Sequence, residues 1–209
     1  MRRRTLTWMI GGTGLIACGV IVMIRSSTFW MPPTGLILSV LADVLWATSI
    51  LLFAVGLDRN ASVVARRPLG LVATAIVGIW PLTSTILGWT AMDVITSSDA
   101  GAAWFAVGIV VPLAAGLISA VQIARAGTVP TPWNRVPLWA LASQVVLGAI
   151  PQLAAVALGP DIAVFADMLV LLGTLVPLVG TLGLGIPAVV LAARTQGATI
   201  EIFRSAPPA

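Results

Sequence analysis

Six long apolar stretches follow one another along this chain, at 7–24, 34–57, 68–91, 102–123, 136–158 and 162–193, and none of them contains a basic residue. A bilayer core is crossed by about 20 apolar residues in helical form. Strands of a membrane barrel would instead alternate in polarity over about ten residues, which these runs do not. In lipid an unsatisfied backbone group is costly, so a helix is the form each run must take. The expected architecture is all-α: a polytopic helical bundle with six transmembrane helices in a single integral membrane domain. The last run is longer than one crossing requires and is expected to tilt, to kink at Pro177 or Pro187, or to start within the interface. A short tail, 194–209, follows it.

The basic residues orient the bundle. All eleven are arginines. Arg2, Arg3 and Arg4 precede the first run; Arg59, Arg66 and Arg67 lie between the second and third. Arg125 and Arg135 lie between the fourth and fifth, and Arg194 and Arg204 follow the sixth. The intervening gaps carry only Arg25, together with Asp93, Asp99 and Asp161. Ten arginines against one is the positive-inside pattern, and it predicts a multi-pass protein of the cell membrane with both termini cytoplasmic. An odd number of spans would break the alternation. Trp8 and Trp139 are expected at the inner interface, and Trp30, Trp89 and Trp104 at the outer one. Trp46 and Trp80 fall near mid-span, where they either fill gaps between helices or line a ligand site.

Composition excludes several classes of function. Only 9% of residues are charged, too few to cover the surface of a soluble domain of this length. The formal charge of +4 is dispersed between apolar runs and forms no continuous phosphate-binding stripe, so no nucleic-acid partner is expected. Histidine is absent, which removes Ser-His and Cys-His nucleophile pairs and histidine metal ligands. No phosphate-binding glycine loop is present. No enzyme activity, cofactor or metal is therefore expected.

Cys18 is the one cysteine, so no intrachain disulfide forms. Leu15-Ile16-Ala17-Cys18 fits the pattern at which bacterial lipoprotein signals are cleaved, making Cys18 a candidate for lipidation. Against this, the apolar run continues through Gly19-Val20-Ile21-Val22-Met23-Ile24, as a signal-anchor span does. Asn60-Ala61-Ser62 matches a glycosylation sequon, but in a predicted cytoplasmic loop it should be inert.

Asp43 is the most informative polar residue. It lies near the middle of the second span, where an acidic side chain costs on the order of 2.5–3.5 kcal/mol on insertion scales. Its functional reading is a proton or cation site. Its structural reading is a hydrogen-bonded acid that ties helices together, with Ser39 one turn away. No arginine is expected at its depth. A rise of about 1.5 Å per residue puts Asp43, Thr83, Thr85 and Gln152 slightly outside the midplane and Gln144 just inside it. Asp43, Thr83, Thr85 and Gln152, with Asp167 above, would then form a polar layer opening outward. The alternative is that each group bonds within its own helix, and that Asp167 simply marks the edge of the sixth span.

Small residues mark packing surfaces. Gly70-x3-Thr74-x3-Gly78 is a ridge suited to close helix approach, and Gly173 and Gly180 lie seven residues apart on nearly one face of the sixth span. Pro81, Pro112, Pro151 and Pro177 should bend their helices or free carbonyls. Val40-x-Ala42-Asp43-x-Leu45 echoes Val164-x-Ala166-Asp167-x-Leu169, and Arg4-x3-Trp8 echoes Arg135-x3-Trp139, a faint sign of duplicated hairpins. Two functions fit these residues. One is binding and passage of a small solute or ion at an acidic intramembrane site, with the lipid bilayer and a homodimeric copy or other chain as partners. The other is a non-catalytic accessory or scaffolding subunit whose small-residue ridges dock another membrane protein.

Overall fold

The structure is a computed structural model that describes residues 2–27, 32–57, 62–65, 67–91, 100–159 and 164–204. Each apolar run becomes one helix: α1 (Arg2–Ser27), α2 (Pro32–Val55), α3 (Pro68–Thr90), α4 (Ala100–Ala126), α5 (Val136–Leu158) and α6 (Ala166–Arg204). A 3-10 turn, Trp133–Arg135, leads into α5. The described residues contain no strand. All six helices are long and apolar enough to cross a membrane.

Local chemistry sets the boundaries. Pro68 occupies the first turn of α3, where its missing N–H breaks no helical bond, and Arg67 before it is extended (φ −66°, ψ 131°). Gly56 and Gly127, at φ +67° and +65°, stop α2 and α4 in the left-handed conformation that a Cβ would disfavour. α5 coincides with its run at both ends, while α1 to α4 run two to five residues beyond their runs or stop one or two short of them, apart from the start of α3, which coincides. The largest difference is in α6, which starts at Ala166 and continues as a 39-residue helix past Pro177 and Pro187.

Sequence neighbours pack side by side, and the most extensive interface joins α1 to α6, closing six helices into a ring. Small residues make that closure. A Cβ on Gly12 would stand 2.9 Å from the carbonyl oxygen of Gly185 and 2.8 Å from Val189 Cγ2. One on Gly19 would stand 2.8 Å from Thr181 Oγ1. Such approaches are how helices gain contact where lipid removes the hydrophobic drive. The ring is weakest between α4 and α5, which touch far less than other adjacent pairs.

The arginine-bearing connections converge on one end of this ring. Trp8, Val64, Ile123, Val129, Ala188 and Ala192 form one buried cluster there. Arg4 donates to the Thr128 carbonyl and lies 5.6 Å from the Trp8 ring centroid, while Arg194 lies 5.9 Å from that of Trp133. Thr128 Oγ1 in turn donates to the Val63 carbonyl at 2.7 Å, so the connections before α3 and before α5 fold over that end together.

Candidate functional site

The ring encloses a cavity of about 160 Å³ in the half nearest the arginine end. Every helix contributes: Trp8 from α1, Trp46 from α2, Thr74 from α3, Ser119 from α4, Gln144 from α5 and Pro187 from α6. The wall is mainly aliphatic and aromatic, and among the described residues no charged side chain lines it. Thr74 and Ser119 hydrogen-bond to each other at 2.7 Å, and Thr74 also donates to the Gly70 carbonyl at 2.7 Å. Gln144 Nε2 points toward the Val176 carbonyl at 3.4 Å, a long contact. The outstanding polar atom is Trp8 Nε1. Trp8 is 7% exposed and stands edge-on to Phe53 at 6.4 Å, yet its indole N–H is buried without a hydrogen-bond partner.

Pro81 explains the seat of Trp46. Lacking an N–H, Pro81 leaves the Val77 carbonyl four residues earlier without its helical donor. Trp46 Nε1 supplies one at 3.1 Å. The proline therefore builds an interhelical bond from α2 to α3 and holds an indole face against the cavity. Trp80, the other mid-span tryptophan, instead stacks on Trp104 at 6.2 Å and 22°, pinning α3 to α4.

Asp43 lies outside the cavity wall, on the α2–α3 seam. Thr85 Oγ1 donates to Asp43 Oδ2 at 2.5 Å. Arg25 extends into this region, donating to Ser39 Oγ at 3.1 Å and standing close enough to Asp43 to attract it electrostatically. The expectation that no arginine reaches this depth is thus corrected: the long side chain spans the distance its Cα does not. Cys18 is buried beside the same seam, its thiol on the Ala42 carbonyl at 3.2 Å, within an uninterrupted α1.

Of the residues assigned to the polar layer, only Asp43 and Thr85 come together. Thr83 is exposed and donates to the carbonyl of Trp80 in its own helix at 2.8 Å. Gln152 is exposed on α5, and Asp167 is exposed in the first turn of α6. The small-residue ridge is used inside the ring. A Cβ on Gly70 would meet Val64 at 3.1 Å and Gln122 at 3.2 Å; one on Gly78 would meet Ile50 at 3.2 Å. Gly180 faces Gln144 at close range, whereas Gly173 has open space above it. The two echoed segments occupy different settings: Trp8 is buried and Trp139 is 70% exposed. Trp30, Asp93, Asp99, Asp161 and Asn60 lie outside the described residues. Among the described residues, no three His, Cys, Asp or Glu side chains gather as a metal site would need.

No protein-family model, curated protein or solved structure matches this chain. Its chemistry is therefore read from its own geometry. Sequence reasoning passed over Trp8 as a site residue because its position suggested an interfacial anchor. The available signal was Gly11-Gly12, three and four residues after it, which lets α1 press against α2 and α6.

Proposed function

We propose that this protein is a non-catalytic, multi-pass protein of the cell membrane, with both termini cytoplasmic, that binds small, uncharged, largely apolar solutes and supports their passage. The observation that carries this reading is the cavity, whose wall includes Trp8, a residue with a buried indole N–H that has no partner. Buried polar groups normally find a partner, and a ligand carbonyl or ether oxygen would supply one here. An apolar cavity of about 150 Å³ suffices for a benzene-sized molecule, and this one is about 160 Å³. The uncharged wall disfavours ions, which would lose hydration without compensation. Asp43 then acts as a tie between helices rather than as the ligand's counter-charge.

The test uses acetophenone, which carries one acceptor, and ethylbenzene, which carries none, titrated against the detergent-solubilised protein by saturation-transfer NMR. The wild type is expected to prefer acetophenone by about fivefold, one neutral hydrogen bond of ~1 kcal/mol. Trp8→Phe should erase that preference and leave ethylbenzene binding intact. Failure of both compounds to saturate, or a preference that survives Trp8→Phe, refutes the assignment.

A second reading, an accessory subunit in a membrane complex, draws on Gly173, the one member of the predicted packing set with open space above it. Gly70, Gly78 and Gly180 are occupied by contacts within the chain, so bulky residues there test folding and not docking. Gly173→Leu is the informative substitution: a partner retained by the wild type in mild detergent and lost by this variant would support the accessory role.

A further inference from the structure

The sparse seam between α4 and α5 contains a second feature at its arginine end: a groove of about 210 Å³ whose walls include Val121, Ala124, Arg125, Asn134, Arg135 and Leu138. We infer that this groove is a binding site for an anionic phospholipid of the phosphatidylglycerol type, with its phosphate between Arg125 and Arg135 and an acyl chain along Val121, Ala124 and Leu138.

Three observations converge. Arg125 comes from α4 and Arg135 from the 3-10 turn that leads into α5, yet they flank one groove, and both are exposed. Two guanidiniums presented beside an apolar channel match a lipid phosphate and its tail, whereas either alone would be an ordinary membrane-interface residue. Asn134, in the same wall, has a buried Oδ1 without a hydrogen-bond partner, and a headgroup glycerol hydroxyl is a donor that would satisfy it if the side chain turned toward the groove. Finally, α4 and α5 contact each other little. A lipid wedged between them fills a gap that the protein's own side chains leave. This site is independent of the central cavity, and its proposal does not depend on the solute reading above.

The experiment is native mass spectrometry of the full chain released from mild detergent, with palmitoyl-oleoyl phosphatidylglycerol and the phosphatidylcholine of identical tails as probes. The wild type is expected to retain one phosphatidylglycerol in preference to phosphatidylcholine. Arg125→Gln with Arg135→Gln should weaken it about thirtyfold, ~2 kcal/mol for two interfacial arginines. Ala124→Trp, an exposed position, fills the groove while leaving both arginines, and should also expel the lipid. Arg67→Gln, an exposed arginine at the same end but outside the groove, should change nothing. Equal retention of the two lipids, or phosphatidylglycerol binding that survives Ala124→Trp, overturns the proposal. So does displacement of the lipid by an equal concentration of free glycerol phosphate, which would mark a soluble-anion site. A loss with Arg67→Gln as large as with the paired groove substitutions would mean nonspecific surface charge and would also overturn it.

Discussion

Removing the hydroxyl through which Thr85 donates to Asp43 tests whether the half-buried acid holds the ring together. Thr85→Val keeps the side-chain shape and deletes the donor; Asp43→Leu deletes the acceptor. Neither substitution alone is informative. Asp43→Leu also removes an insertion cost on the order of 2.5–3.5 kcal/mol, and Thr85→Val leaves the carboxyl short of a partner. A double-mutant cycle cancels both effects and isolates the pair. The contact is 2.5 Å long, at the short limit for O–H···O bonds. Interhelical hydrogen bonds in membrane proteins average ~0.6 kcal/mol and reach ~1.7, and so short a contact belongs near the upper end of that range. The expected coupling is therefore about 1.5 kcal/mol, near twelvefold in the folding equilibrium. It is measured by tryptophan fluorescence during SDS titration of the protein in mixed micelles. The same cycle with Thr83→Val provides the internal control, because Thr83 bonds its own helix and should couple to Asp43 hardly at all. A Thr85–Asp43 coupling below about 0.5 kcal/mol, or one equal to that of Thr83, would refute the assignment of Asp43 as an interhelical tie.

Glycine substitutions should separate into two groups. Gly12→Ala forces a Cβ to within 2.9 Å of backbone and should destabilise by about 1–3 kcal/mol, whereas Gly108→Ala meets nothing within 4 Å and should stabilise by about 0.5–1 kcal/mol in the same titration. Trp46→Phe should cost about 1 kcal/mol in the wild type, and less in a Pro81→Ala background, where the Val77 carbonyl regains its own helical donor. In a Cys18→Ala background, Thr131→Cys should be labelled by impermeant maleimide only after the cell interior is exposed, and Thr96→Cys should be labelled from outside. Labelling of both from one common side would contradict the arginine-based orientation.

The number of helices and their approximate limits were legible because lipid imposes a simple rule on length and polarity. Thr85 and Asp43 were also placed at a common depth by counting residues. Depth is only one coordinate, however. Thr83 and Thr85 lie two residues apart, about 200° around a helix, so one faces α2 while the other faces outward. Gln152 and Asp167 shared the layer by height but project from exposed faces. Arg25 was misplaced because its Cα marks the helix end and its side chain folds back toward Ser39. The cavity left no local trace: its wall takes one to several residues from each of six helices, and no motif encodes that convergence. The α1–α6 closure did leave a mark, in Gly12 and Gly19, which read as a packing surface once α6 is known to face them.

That closure has a consequence for biogenesis. The first of these six helices to leave the ribosome has its largest interface with the sixth, so throughout synthesis of α2 to α5 the backbone around Gly12 and Gly19 lacks that partner. Nascent chains fold from the N-terminal side onward, and here the seam that closes the ring joins the earliest-made of the six helices to the last-made. An insertion factor or chaperone that shields small-residue helix faces would act during that interval, and translation pauses before α6 would lengthen the period in which the molecule is most open to mispairing.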